Sequence, residues 1–226
     1  MRRPSLATEP SRQLGLPGTV VGASAAVAAV LLTGCGSLFA PPPPSPHFYT
    51  LDPSTAIAVT EPATPTSSAG ASAAVMLVAT PRAAAGFDTD RIVYVLEEHR
   101  LQPYADSQWI GTPSKMLEPM ISSALSRTGA FGAVLEAPSA VNAQWELQSD
   151  IVRLEQEVVA ARFRFTLRVT LIEKQTRTVV LARDFDSSAP LTGTGPAAAV
   201  AAANVVVAEV LRQMAEACAS AVARRR

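Results

Sequence analysis

Arg162-Phe163-Arg164-Phe165-Thr166-Leu167-Arg168-Val169-Thr170-Leu171 alternates apolar and polar side chains without a break. In a strand, successive side chains point to opposite faces. Phe163, Phe165, Leu167, Val169 and Leu171 therefore define a buried face, and Arg162, Arg164, Thr166, Arg168 and Thr170 the opposite one. Upstream, Trp145, Leu147, Ser149 and Ile151 alternate in the same way, and the phase changes near Val152. A phase change of this kind predicts a bulge or twist. A hairpin turning near Val159-Ala160 sets Glu157 near Arg162 and Glu155 near Arg164, cross-strand pairs that contribute roughly 0.2–1 kcal/mol each. After Lys174-Gln175-Thr176-Arg177, Thr178 to Phe185 returns as a third antiparallel strand.

The flanks supply more strands and two helices. Ala74 to Ala79 is a continuous apolar run ending at Pro81, and it suits a central strand covered on both faces. Arg91 to Leu96 alternates weakly up to Glu97-Glu98-His99-Arg100, and Leu101 to Trp109 returns as its hairpin partner. Thr112-Pro113 opens a helix as N-cap and first helical position. Met116, Leu117, Met120, Ile121, Ala124 and Leu125 then recur at helical spacing, and Gly129 ends it. Pro119 removes one backbone bond and predicts a kink or a delayed start. Phe131 to Leu135 enters another strand. Gly193-Thr194-Gly195-Pro196 opens the last helix, whose stripe is Val207, Val210, Leu211, Met214, Cys218, Ala221 and Val222. Asn204 and Glu209 argue against a membrane span at 196–211. Arg224-Arg225-Arg226 meets the negative end of the helix dipole, with anionic lipid as the functional alternative. Residues 73–226 thus predict one α+β domain, a mainly antiparallel sheet with two helices packed on one face.

Ahead of this domain the chain has a different character. Val20 to Leu32 is an alanine-rich apolar run, short for a membrane span, behind Arg2, Arg3 and Arg12. It ends in Leu32-Thr33-Gly34-Cys35, which reads as a lipobox. Residues 1–34 are then a signal peptide, and Cys35 is the lipidation site. Each buried acyl CH₂ contributes roughly 0.8 kcal/mol and stable anchoring takes about two chains. An ordinary cleaved signal is the competing reading. Gly36 stands where an Asp would favour inner-membrane retention, so the outer membrane, periplasmic face, is expected. Residues 35–72 form the anchor and tether. Pro41 to Pro44 and Pro46 predict a stiff polyproline II spacer, at about 3.1 Å per residue. His47 to Leu51 is a short strand able to pair with the sheet, and 52–72 is a flexible linker rich in Pro, Ser, Thr and Ala.

Composition narrows the function. The 226 residues carry 19 basic and 19 acidic side chains. Removing 1–34, with its three arginines and one glutamate, leaves 16 and 18, so nucleic acid is not expected as a partner. Once Cys35 is acylated, Cys218 has no partner for a disulfide and reads as a small buried side chain. His47 and His99 have no spaced partner set for a metal. Gly193-Thr194-Gly195-Pro196 lacks the lysine of a phosphate loop, and no nucleophile, base and orienting group come together in the pattern. Catalytic, metal and cofactor residues are therefore none, and the chain is expected not to be an enzyme. Two surfaces remain candidates for interaction. Arg162, Arg164 and Arg168 are either a basic surface for anionic lipid or an acidic partner, or a solvated face neutralised by Glu155 and Glu157. Tyr94, Leu101, Tyr104 and Trp109 are either a hairpin-tip surface or core.

The layout resembles the ABC-type transport auxiliary lipoproteins, the PqiC-like group. The resemblance rests on the lipobox Leu32–Cys35, the proline tether, Phe48-Tyr49-Thr50-Leu51, Arg91-Ile92-Val93-Tyr94, Leu101-Gln102-Pro103-Tyr104-Ala105, Trp109, and Pro113 to Leu117. It covers essentially the whole mature chain, and departs from the group in the insert at 52–72 and in Gln102-Pro103. It implies a non-enzymatic accessory subunit of an ABC permease and ATPase working with a substrate-binding protein of the mammalian-cell-entry (MCE) type. That system would move phospholipid or another hydrophobic solute between membranes. The subunit would dock onto the MCE protein or onto copies of itself, a homo-oligomer. A periplasmic carrier lipoprotein that itself holds an acyl chain is the alternative. No catalytic residue follows from the resemblance.

Overall fold

In chain order the elements are β1 (His47–Tyr49), β2 (Val75–Val78), β3 (Arg82–Ala83), β4 (Arg91–Glu97), β5 (Arg100–Trp109), α1 (Pro113–Arg127), β6 (Ala133–Glu136), β7 (Trp145–Glu157), β8 (Arg162–Glu173), β9 (Thr178–Pro190) and α2 (Gly195–Ala223). This computed structural model describes residues 45–52 and 74–225. Residues 1–44, 53–73 and Arg226 lie outside the described residues, and with them the expected signal peptide, Cys35, Pro41 to Pro44 and all but Asp52 of the linker expected at 52–72.

The long alternating segments make the centre of the sheet. β7 and β8 pair antiparallel along their whole length, as do β8 and β9. Phe163, Phe165, Leu167, Val169 and Leu171 are all fully buried, as the alternation requires. Full burial of each such side chain stabilises by roughly 1.5–3 kcal/mol. The register of β7 shifts between Ile151 and Arg153, which places the expected bulge at Val152. Before it, Trp145, Leu147, Ser149 and Ile151 face the core; after it, Leu154 and Gln156 do.

The sheet is mixed, not purely antiparallel: its longest ladders are antiparallel, and short parallel pairings complete it. Among the described residues three pairings are antiparallel, β4–β5, β7–β8 and β8–β9. Five are parallel: β1–β5, β2–β6, β2–β7, β3–β7 and β4–β7. The cause is the length of β7. Its free edge accepts β2 at Trp145–Leu147, β3 at Asp150–Ile151 and β4 at Gln156–Glu157, one after another. β2 lies between β6 and β7, with Met76 and Val78 fully buried, so it is central as expected.

α1 and α2 pack on each other, α1 against β2, β3 and β6 and α2 against β8 and β9. α1 starts at Pro113 with Thr112 at the N-cap, although the Thr112 side chain makes no capping bond. Gly129, at φ +64°, follows the C-cap residue Thr128. Pro119 neither breaks the helix nor delays it. It is exposed, and so is Lys115 one turn earlier, so water can take the carbonyl that the ring leaves unbonded. α2 is long and apolar enough to cross a membrane, yet half of its most apolar window is buried inside this fold, as a core helix requires. Its whole predicted stripe is buried.

The tether strand does join the sheet. β1 lies parallel to β5, His47 opposite Ser107 and Tyr49 opposite Trp109. The Ile110 N–H donates to the Tyr49 carbonyl at 2.7 Å. The Asp52 N–H donates to Asn204 Oδ1 at 2.8 Å, which gives the polar interruption in α2 a structural use. Leu51, 2 % exposed, belongs to the core.

Candidate functional site

The outer face of β7, β8 and β9 carries the arginines. It is a ladder of pairs in which β9 supplies most of the acids. Arg168 makes a fork to Asp184, Nε and Nη2 donating at 2.8 and 2.9 Å. Arg164 does the same to Asp186 at 2.9 and 3.1 Å, and Thr166 Oγ1 donates to that carboxylate as well. Arg162 donates through Nε to Glu157. Burial alone would raise the Asp186 pKa, but the bonds from Arg164 and Thr166 hold it below the usual carboxylate range. The bond from Arg168 does the same for Asp184. The stripe is thus a neutralised, solvated face rather than a bare basic patch.

Glu155 and Arg164 lie near each other as expected, but they form no close ion pair. Glu155 stands opposite Arg164 in register, but Arg164 turns to Asp186 and to Glu157, 3.6 Å away. Asp184 and Asp186 do not stand out in the sequence, although continuing the alternation through Thr178–Phe185 puts Asp184 on the same face as Arg168.

The aromatic candidates separate. Trp109 is 2 % exposed and belongs to the core. Its position at the end of β5, beside β1, buries it. Tyr94 and Tyr104 are half-buried, with ring centroids 4.9 Å apart at 54°. The Tyr94 hydroxyl donates to Gln102 Oε1 at 3.0 Å, and that of Tyr104 to Gln156 Oε1. Burial first, then Tyr94, pushes the Tyr104 pKa up against the opposing bond to Gln156. The pair cements the β4–β5 hairpin to β7.

Beyond that pair, the tip of the hairpin and the β7–β8 turn enclose an open groove of about 680 Å³. Val95, Leu96, Leu101 and Val159 supply apolar surface, and Arg153, Glu155 and Glu157 line it from β7. The Val158 N–H donates to the Val95 carbonyl at 3.0 Å and ties the two turns together. Glu155 is 8 % exposed, and burial pushes its pKa up against the opposing charge of Arg153. His99 sits on the exposed turn at the tip, at φ +65°. Cys218 is buried in α2, where desolvation pushes its thiol up to about 12.

The fold is α+β: a long β7–β8–β9 meander in a mixed sheet, two helices packed against it, and β1 paired along β5 at the sheet edge. The chain belongs to the ABC-type transport auxiliary lipoprotein components, whose family model matches residues 49–215. Among solved structures it is similar to protein XCC0632 from Xanthomonas campestris, at 23 % identity and a TM-score of 0.63, over 69 % of this chain and 89 % of that one. A second, described as an uncharacterized protein, is similar at 10 % identity and a TM-score of 0.58, over 79 % and 99 %. At these identities the two share the fold. No curated protein matches the sequence. The family is one of auxiliary transport components of the envelope, not of enzymes.

Proposed function

We propose that this chain is a non-enzymatic auxiliary subunit, anchored through acylated Cys35 at the periplasmic face of the outer membrane. In this reading it serves an MCE-associated ABC system that moves phospholipid or another hydrophobic solute. The observation that carries the reading is the family match over residues 49–215. The pairing of β1 with β5 supports it further, since the chain that follows the proposed anchor enters the domain through a paired strand. The carrier alternative needs an enclosed acyl-chain site. The groove at the hairpin tip is open and partly charged, which suits docking or headgroup contact better.

The test is metabolic labelling with a radioactive fatty acid, followed by recovery of bound proteins from solubilised envelopes. The wild type should take up label, fractionate with outer membrane and bring down an MCE-type subunit. Cys35→Ala should lose the label. A wild-type product without label, or one free in the periplasmic extract, would refute the anchor. Recovery without any transporter subunit would refute the auxiliary role.

A further inference from the structure

Two opposite charges in the groove, Glu155 and Arg153, feel each other's field but make no close bond among the described residues. Glu155 forms no hydrogen bond and no ion pair within 4 Å among the described residues, although it is nine-tenths buried. Arg153, two residues earlier on the same face of β7, is exposed and also makes neither. The other charges around them are engaged. Arg164 is held by Asp186, Glu157 by Arg162, Arg100 by Glu97, and His99 Nε2 lies 3.3 Å from Glu98. The Glu155 carboxylate is largely desolvated and has only the longer-range charges of Arg153 and Arg164 against it, so a donor brought into the groove would stabilise it.

The apolar part of the groove is just as unusual. Leu96, Leu101 and Val159 are large apolar side chains left 47, 39 and 83 % exposed, close together at one end of the sheet. A suitable occupant therefore carries a cation and an anion a few bonds apart, joined to apolar chain. An anionic lipid would satisfy Arg153 and bring a second negative charge to Glu155. A free zwitterion would leave the leucines wet. The volume lies in the range of ordinary ligand pockets, roughly 300–1,000 Å³.

We propose that the groove binds a zwitterionic phospholipid, its ammonium on the Glu155 carboxylate, its phosphate on the Arg153 guanidinium, and its first methylenes on Leu101 and Val159. This assigns a lipid class to the trafficking role above and rests on that reading.

The test titrates the full-length chain carrying Cys35→Ser with dihexanoyl phosphatidylethanolamine, dihexanoyl phosphatidylglycerol and free phosphoethanolamine, each below micelle-forming concentration. Phosphatidylethanolamine should bind about tenfold or more tightly than either of the others, the range expected for a charge-assisted hydrogen bond in a partly desolvated site. Glu155→Gln should abolish its advantage over phosphatidylglycerol, and Arg153→Gln should weaken both lipids. Equal binding of the two lipids, an advantage that survives Glu155→Gln, or no binding at all would overturn the proposal. Free phosphoethanolamine binding as tightly as the lipid would overturn its apolar half. Fatty-acid labelling at Cys35 and recovery of transporter subunits do not depend on the groove. If they persist while lipid binding fails, only the groove assignment falls.

Discussion

Replacing Leu51 with Ala should detach β1 and leave the rest of the domain folded. Among the described residues β1 is an edge strand that pairs only with β5. Residues 47–52 are held by the short ladder to β5, by Leu51 in the core, and by the bonds Ile110 N–H to Tyr49 O and Asp52 N–H to Asn204 Oδ1. Leu51 burial stabilises by roughly 1.5–3 kcal/mol, and each hydrogen bond by about 0.5–1.5 kcal/mol net. Against this stands the ordering of each backbone residue, about 1–2 kcal/mol. The net hold on the segment is therefore small, on the order of 2–3 kcal/mol, and the loss of roughly 2–5 kcal/mol typical of a buried Leu→Ala change is enough to release it. The Ile110 amide reports the event. Its hydrogen exchange should accelerate by about 30-fold or more, since 1.4 kcal/mol is a factor of ten. Amides of β8 should keep their protection.

Under the proposed anchoring at Cys35, the consequence reaches the membrane. Between residue 35 and β1 lie about a dozen residues, roughly 37 Å at 3.1 Å per residue if extended as polyproline II. An unchanged Ile110 exchange rate, or protection lost equally in β8, would refute the idea that β1 is a separable latch.

Three further outcomes are expected. Ser149 is buried at 2 % exposure and its Oγ has no hydrogen-bond partner among the described residues, so Ser149→Ala should raise the unfolding free energy by about 1 kcal/mol in denaturant titration; a loss of stability would mean the hydroxyl is satisfied. Burial raises the Glu155 pKa, so the folded state holds that proton more tightly than the unfolded chain and the charge opposes folding above the folded pKa. Glu155→Gln should therefore raise the melting temperature at pH 7, and the difference from wild type should vanish below the ordinary value of 4.5; a gain that persists in acid would point to packing instead. Cys218 should resist iodoacetamide at pH 8 in the folded protein and react on unfolding, because its thiol is both buried and pushed up to about 12.

The features legible in the sequence were those with local periodicity. The β7–β8–β9 meander, the β4–β5 hairpin and both helices follow from spacings of two and of three to four residues. The parallel pairings do not. β2 meets β6 only after α1 has intervened, and nothing in Val75–Val78 or Ala133–Glu136 alone names its neighbour. Trp109 was undecidable for a related reason: β5 alternates weakly, and β1 and the core close over its end from elsewhere in the chain. Glu155 was assigned to Arg164 because register fixes which Cα atoms are opposite, whereas an arginine chooses among all carboxylates within reach. Asp186 offered a fork geometry and a second donor in Thr166.

The bulge at Val152 links these levels. Residues 145, 147, 149 and 151 face the core, and continuing that phase would drive Arg153, Glu155 and Glu157 inward. One extra residue turns them out, opposite Thr166, Arg164 and Arg162, and brings Leu154 and Gln156 in. The same residue sits where the free edge of β7 passes from β3 to β4. A bulge bends its strand and increases the twist, so the position of the β4–β5 hairpin, and with it the groove, depends on Val152. Deleting Val152 should leave a regular strand, because Ile151 and Leu154 keep their faces. The domain should still fold, with protection in β8 and β9 retained. The hairpin should loosen, since the Tyr104 bond to Gln156 and the Val158 bond to Val95 are set by the bent strand. Amide exchange should thus rise selectively across Arg91–Trp109. Uniform loss of protection would mean that the inner face has slipped, and an unchanged hairpin would mean that the bulge does not position it.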